Sequence, residues 1–282
     1  MGYAALMVHV EPDDAAEPRI RLAADLADRF EAALIGFAGA TVMPPPVTAP
    51  VLGPGVAVEV LEAEQRRVEA GLRAAHERFR TIAERDGRRT GWRSFLDHPA
   101  AALAREARAA DLLIGGRGGG AFGLGRDQTV DAGDLLMRAG RPVLVVPPGV
   151  AVLEARRVLV AWKDTREARR AVADALPLLA DAEEVLVVEA VPDEAGDREA
   201  ATRRTGDVAA LLERHGATAR GETLESHAGR AVADALLRAA ERHGADLVVA
   251  GGYGHARLRE WAFGGVTRDL LARCPVCCLL SH

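Results

Sequence analysis

Residues 250–267 read Ala-Gly-Gly-Tyr-Gly-His-Ala-Arg-Leu-Arg-Glu-Trp-Ala-Phe-Gly-Gly-Val-Thr. Gly251 and Gly254 allow main-chain N–H groups to approach an anion with no Cβ in the way. Gly264 and Gly265 lead into Val266 and Thr267 at the start of a predicted helix, whose first amides have no partner inside the helix. The chemistry on offer is non-covalent capture of phosphate. Lys163, the only lysine of the chain, closes a predicted strand. It is either a cation that pairs with phosphate or an ordinary solvated lysine.

Other chemistry-bearing residues are weaker signals. Cys274, Cys277 and Cys278 are odd in number and crowded at one end, which excludes a disulfide framework. Alternate residues of a strand cannot converge on one ion, so buried thiols and no metal are expected. His255 adjoins Gly254, and His98 and His227 follow the third strand of each half, where they would open helices. No Ser, His and Asp set forms a triad, so no catalytic residue is assigned. The Gly-x-x-x-x-Gly-Lys-Ser/Thr loop is absent, and no Gly-x-Gly-x-x-Gly follows the first strand of either half. Motor, GTPase and dehydrogenase chemistry are thereby disfavoured.

The elements that must position these residues come as two copies of one pattern. Apolar runs at 4–10, 33–37, 91–96, 111–115 and 142–146 alternate with helical periodicity at 18–30, 61–85 and 100–110. From Arg157 the order recurs, with strands at 158–162, 185–189, 219–224, 246–250 and 275–280 and helices at 166–179, 198–215, 229–243 and 266–273. Asp111-Leu112-Leu113-Ile114 is echoed by Asp246-Leu247-Val248-Val249, and Arg141-Pro142-Val143 by Cys274-Pro275-Val276. Such helix-separated apolar strands form parallel sheets covered on both faces. The expected fold is α/β: two tandem, open, doubly wound, five-stranded parallel sheets, over residues 1–150 and 151–282. Five prolines between Ala38 and Val60 predict irregular chain there, either a cover for a cleft or a surface excursion. The apolar last strands would aggregate as bare edges, so they are expected to pair within the chain as a pseudo-dimer, with further homodimerisation open.

Composition narrows the function further. Apolar residues make up 49% and charged residues 27%, which suits folded, water-facing domains. A net charge of -5 disfavours nucleic acid or anionic lipid as a partner. No apolar run reaches the roughly 18 residues of a membrane span, and the first residues lack a basic, cleavable leader. A cytoplasmic protein is expected.

With the glycine spacing and the duplication both in view, the sequence resembles the universal stress protein family. Its nucleotide-binding members carry Gly, two residues, Gly, nine residues, Gly and then Ser or Thr after the fourth strand. Gly251, Gly254 and Gly264 keep that spacing, and the resemblance extends over both halves as a tandem member. Three positions depart from the pattern. Gly265 stands for the Ser or Thr, with Thr267 one helical step on. Lys163 stands where an acidic residue ends the first strand near the ribose. In the first half Gly116 and Gly119 are spaced correctly, but Thr129 holds the third glycine position.

The resemblance implies an adenine nucleotide of the ATP class in the second half, with Mg2+ only if ATP binds. It places Ala161, Trp162 and Ala190 at the adenine and ribose end. Trp162 would either stack on the base or fill its space. The phosphates would meet Ala250, Gly251, Gly254, Gly264, Gly265, Val266 and Thr267, with Lys163 nearby. Output would pass through ligand-dependent conformation or an unidentified protein partner, and ATP hydrolysis would be slow because no general base is evident. A tandem scaffold that binds no nucleotide is the alternative, and an enzyme of the adenine-nucleotide hydrolase type ranks last.

Overall fold

The computed structural model describes residues 2–13, 16–43, 54–117, 130–191, 195–226, 230–253 and 265–282. The first half contains β1 (Ala5–His9), α1 (Ala16–Arg29), β2 (Ala33–Gly39), α2 (Pro54–Ala83) and β3 (Thr90–Phe95). It continues with α3 (Pro99–Glu106), a 3-10 turn (Ala107–Ala109), β4 (Leu112–Gly116), α4 (Ala132–Ala139) and β5 (Val143–Val146). The second half repeats the order with β6 (Arg157–Trp162), α5 (Arg166–Leu179), β7 (Glu184–Val191), α6 (Ala195–Arg214) and β8 (Ala219–Glu225). It ends with α7 (Arg230–His243), β9 (Leu247–Gly251), α8 (Gly265–Arg273) and β10 (Cys277–Ser281).

The ten strands among the described residues lie in one sheet, in the order β3-β2-β1-β4-β5-β10-β9-β6-β7-β8. Pairing is parallel within each half. The halves meet where β10 runs antiparallel to β5, with Cys278 opposite Val145 and Leu280 opposite Val143. Each apolar last strand therefore covers the edge of the other. Helices α1, α2, α5 and α6 bury their apolar faces on one side of the sheet, and α3, α4, α7 and α8 on the other. Strand residues divide between the two cores by alternation, so that Leu6 and Val8 face one side and Met7 the other.

Two local outcomes differ from expectation. The proline-rich stretch is not irregular throughout, because α2 opens at Pro54. Proline suits a first helical turn, where its missing N–H would have had no partner. Helix α4, which sequence periodicity does not reveal, is bounded by Asp131, whose carboxylate accepts from the Asp134 N–H at 2.8 Å, and by Gly140 at φ +59. Side chains also join the halves: the Tyr3 hydroxyl donates to the Asp174 carbonyl at 2.8 Å, and Arg29 Nη1 donates to the Glu154 carbonyl at 2.8 Å. Among the described residues, no helix is long and apolar enough to cross a membrane.

Candidate functional site

In an open parallel sheet the crevice for a ligand forms where strand order reverses, beyond the carboxyl ends of the strands. In the second half the chain runs from β6 outward through β7 to β8 and returns to place β9 on the other side of β6. The reversal thus lies between β6 and β9, where Ala161 sits opposite Ala250. Trp162 and Lys163 leave on one side of it, and Gly251, Gly252 and Tyr253 on the other. Ala190 lies one strand away near the end of β7, half-buried like Ala161.

Each of these residues has a definite local role. The Trp162 indole is buried in the α5 and α6 core, and its Nε1 has no hydrogen-bond partner among the described residues. An unpartnered buried donor costs on the order of 1–3 kcal/mol, so an acceptor in this place would be stabilising. Lys163 is exposed at the rim, and its carbonyl accepts from the Thr165 N–H at 2.7 Å as α5 begins. The space beside Gly251 is taken by α5 itself: an added Cβ would lie 2.5 Å from the Ala168 nitrogen and 2.9 Å from its Cα. Glycine is therefore required there to let strand and helix close.

The amides near this exit are partly committed. The Gly252 N–H donates to the Ser281 carbonyl at 2.8 Å, and the Tyr253 N–H donates to Thr267 Oγ1 at 3.3 Å. Thr267 is buried, so its hydroxyl ties β9 to α8. Donors for an anion must then come from further along, including the first amides of α8. A Cβ at Gly265 would meet no described atom within 4 Å, which leaves that helix end open on the Gly265 side among the described residues. Val266 follows it, half-buried. Gly254, Gly264 and His255 lie outside the described residues, as do His227, Gly119 and Thr129.

The first half makes its reversal between β1 and β4. Here the place beside Gly116 is filled by Arg19, whose guanidinium pairs with Glu11 and donates from Nε to the His9 carbonyl at 3.0 Å. Glu11 Oε1 also lies 3.3 Å from His9 Nδ1. Burial, joined by the Arg19 charge and opposed by that of Asp13, pushes the His9 imidazole down to about 3. Sequence periodicity marks Arg19 only as a member of a helix; its partners are tertiary and leave no local signal.

The remaining candidates do not join either crevice. His98 opens α3 without a side-chain cap, its N–H held by Asp97 Oδ1 at 2.7 Å. All three cysteines are buried, and burial pushes the Cys277 thiol up to about 12. Cys274 and Cys278 share a hydrogen bond, which lowers the first and raises the second. Among the described residues, no group of His, Cys, Asp and Glu could hold a metal ion. A cavity of 450 Å³ lies between the halves against Arg29, Glu154 and Arg156, and one of 180 Å³ lies beside Arg157, Arg220 and His243, both away from the two reversals.

Comparison with known proteins reaches the second half by family model and both halves by structure. The model of the universal stress protein family matches residues 154–282. No curated protein sequence matches the chain. Among solved structures, a universal stress protein from Archaeoglobus fulgidus DSM 4304 is similar at a TM-score of 0.64 and 15% identity, covering 99% of this chain and 96% of its own. A Pseudomonas aeruginosa UCBPP-PA14 protein, provisionally described as a universal stress protein, covers 99% of this chain and 93% of its own at TM-score 0.59 and 17% identity. A universal stress protein solved in complex with cAMP covers 45% of this chain and 97% of its own, at 18% identity and TM-score 0.36. Residues 154–282 thus match the universal stress protein family, and the first half repeats the fold of the second.

Proposed function

We propose that the chain is a cytoplasmic stress-response protein whose second half binds an adenine nucleotide of the ATP class. The supporting observation is that Ala161, Trp162, Lys163, Ala250 and Gly251 meet at the strand-order reversal of the half that matches the family. The phosphates would rest against Gly254, Gly264, Gly265 and the first amides of α8, with Lys163 at the rim. The adenine and ribose would lie toward Ala161, Trp162 and Ala190, where the indole N–H could find its acceptor. Mg2+ would accompany ATP. Output would pass through conformation or a protein partner, from two units taken as 1–150 and 151–282. A scaffold reading without nucleotide is favoured by one specific observation, the engagement of the Gly252 and Tyr253 amides inside the protein.

Thermal unfolding with ATP, ADP, AMP and cyclic AMP separates the two readings. A ligand at 100 times its Kd stabilises by about 2.7 kcal/mol, which is easily seen as a raised Tm. No shift with any of the four would leave the scaffold reading standing.

A further inference from the structure

Tyr253, at the exit of β9, ties the candidate crevice of the second half to the first half. Tyr253 leaves β9 at φ +57, a left-handed conformation rare for an aromatic residue, which persists only where its surroundings over-determine it. Its N–H is held by Thr267 of α8. Its side chain crosses to α4 of the first half, where an added Cβ at Gly133 would collide with the phenolic oxygen and stand 3.4 Å from Cζ. That same Cβ would lie 3.1 Å from Asp131 Oδ1, the cap of α4. The neighbouring residue repeats the contact, since a Cβ at Gly252 would strike the Leu136 side chain of α4. The Gly252 carbonyl also lies 3.1 Å from His282 Nδ1. Burial pushes the half-buried phenol up to about 12, with the Asp131 and Asp134 charges adding to the rise and Arg268 opposing it.

We propose that Tyr253 is a positioning residue through which α4 of the first half sets the exit of β9, so that nucleotide bound in the second half is registered at Asp131, Gly133 and Leu136. This rests on the nucleotide reading above. Two glycines on opposite sides of the seam, Gly133 and Gly252, are what permit the close approach. The coupling is mechanical: an anion drawn onto α8 acts on Thr267, Thr267 holds the Tyr253 amide, and the ring bears on α4. Occupancy in one half would then reach α4 of the other with the β5 and β10 pairing unchanged.

The test uses the full chain, with ATP as the probe, calorimetry for affinity and amide hydrogen exchange for the two ends of the link. In the wild type, saturating ATP should slow exchange in residues 132–139 at least several-fold. Tyr253→Gly relieves the left-handed backbone but removes the ring, and should abolish that response. Gly133→Ala favours helix α4 intrinsically, yet by displacing the ring it should speed exchange of residues 247–253 without nucleotide and weaken ATP binding several-fold. Tyr253→Phe, which keeps the ring, should retain most of both responses. Wild-type chain that binds ATP with no change in 132–139 would overturn the inference alone, as would full affinity and unchanged exchange in Gly133→Ala. Wild-type chain that takes up no ATP would overturn the nucleotide reading and the inference together.

Discussion

Strand register equates Glu11 of the first half with Lys163 of the second. Leu6 pairs with Leu112 and Val158 with Leu247, and each of the two charged residues lies five positions beyond the first of its pair. The same count carries Arg19 onto Ala171, which is buried and small. In the first half, then, a carboxylate and a guanidinium close over Gly116 and fill the space at the strand-order reversal with the protein's own charges. In the second half α5 comes in against Gly251 by its backbone, and a cation stands exposed at the rim. The frame is common to both, and a few side chains decide whether a crevice is filled from within.

Breaking the comparison at its two glycines should give the largest effect. Gly251→Ala sets a Cβ 2.5 Å from the Ala168 backbone nitrogen, which cannot yield without moving α5. Overpacking of this kind costs roughly 2–3 kcal/mol. Gly116→Ala meets the tip of the Arg19 side chain, which is buried and held by Glu11 and the His9 carbonyl; shifting a side-chain tip should still cost less than shifting a helix. Urea unfolding of the two variants measures the difference, and equal costs would mean that the two crevices are filled alike.

Acidification sharpens the contrast by isolating His9. In the folded chain His9 stays neutral down to about 3, whereas in the unfolded chain it takes up a proton near its ordinary value of 6.5. The unfolded state therefore binds more protons below pH 6.5. Stability present above that pH is lost as pH falls toward 3, at up to about 1.4 kcal/mol per pH unit. His9→Asn should flatten the profile between pH 7 and 5 by about 2 kcal/mol. His243, pushed down by burial but opposed by the Glu184 carboxylate, has the same sign in the second half, and His243→Asn should flatten the profile less. A larger effect at His243 would reverse the assignment of the tighter cluster to the first half.

The smallest effect is expected at Lys163. Lys163→Ala should leave stability within about 0.5 kcal/mol, as surface changes do, while weakening nucleotide several-fold in calorimetry at moderate salt. Unchanged affinity would remove the rim cation from the binding site.

How far these features can be read without coordinates depends on the distance over which they act. The alternating strands, the duplication and the pairing of β5 with β10 are legible because burial on both faces writes continuous apolar runs such as Leu144-Val145-Val146. The places of Gly251 at a strand end and of Gly265 at a helix start are legible too. Helix α4 has only eight residues, too few for periodicity, and its marks are Asp131 and Gly140 at its ends. Pro54 reads as a breaker because its neighbours Pro44, Pro45 and Pro46 do. The engagement of Gly252 by Ser281, the filling of Gly116 by Arg19 and the meeting of Tyr253 with Gly133 each join residues distant in sequence, and no local pattern records them.

The antiparallel meeting of β5 with β10 has a further consequence. It relates the halves as two copies of one subunit would be related about a rotation axis, but a peptide chain holds them together. In a true pair of identical subunits every replacement appears twice, so an acid at the end of the first strand would be an acid in both. Covalent fusion lifts that constraint: Glu11 and Lys163 can hold equivalent places with opposite sign, so one half can be closed by its own charges while the other is shaped independently.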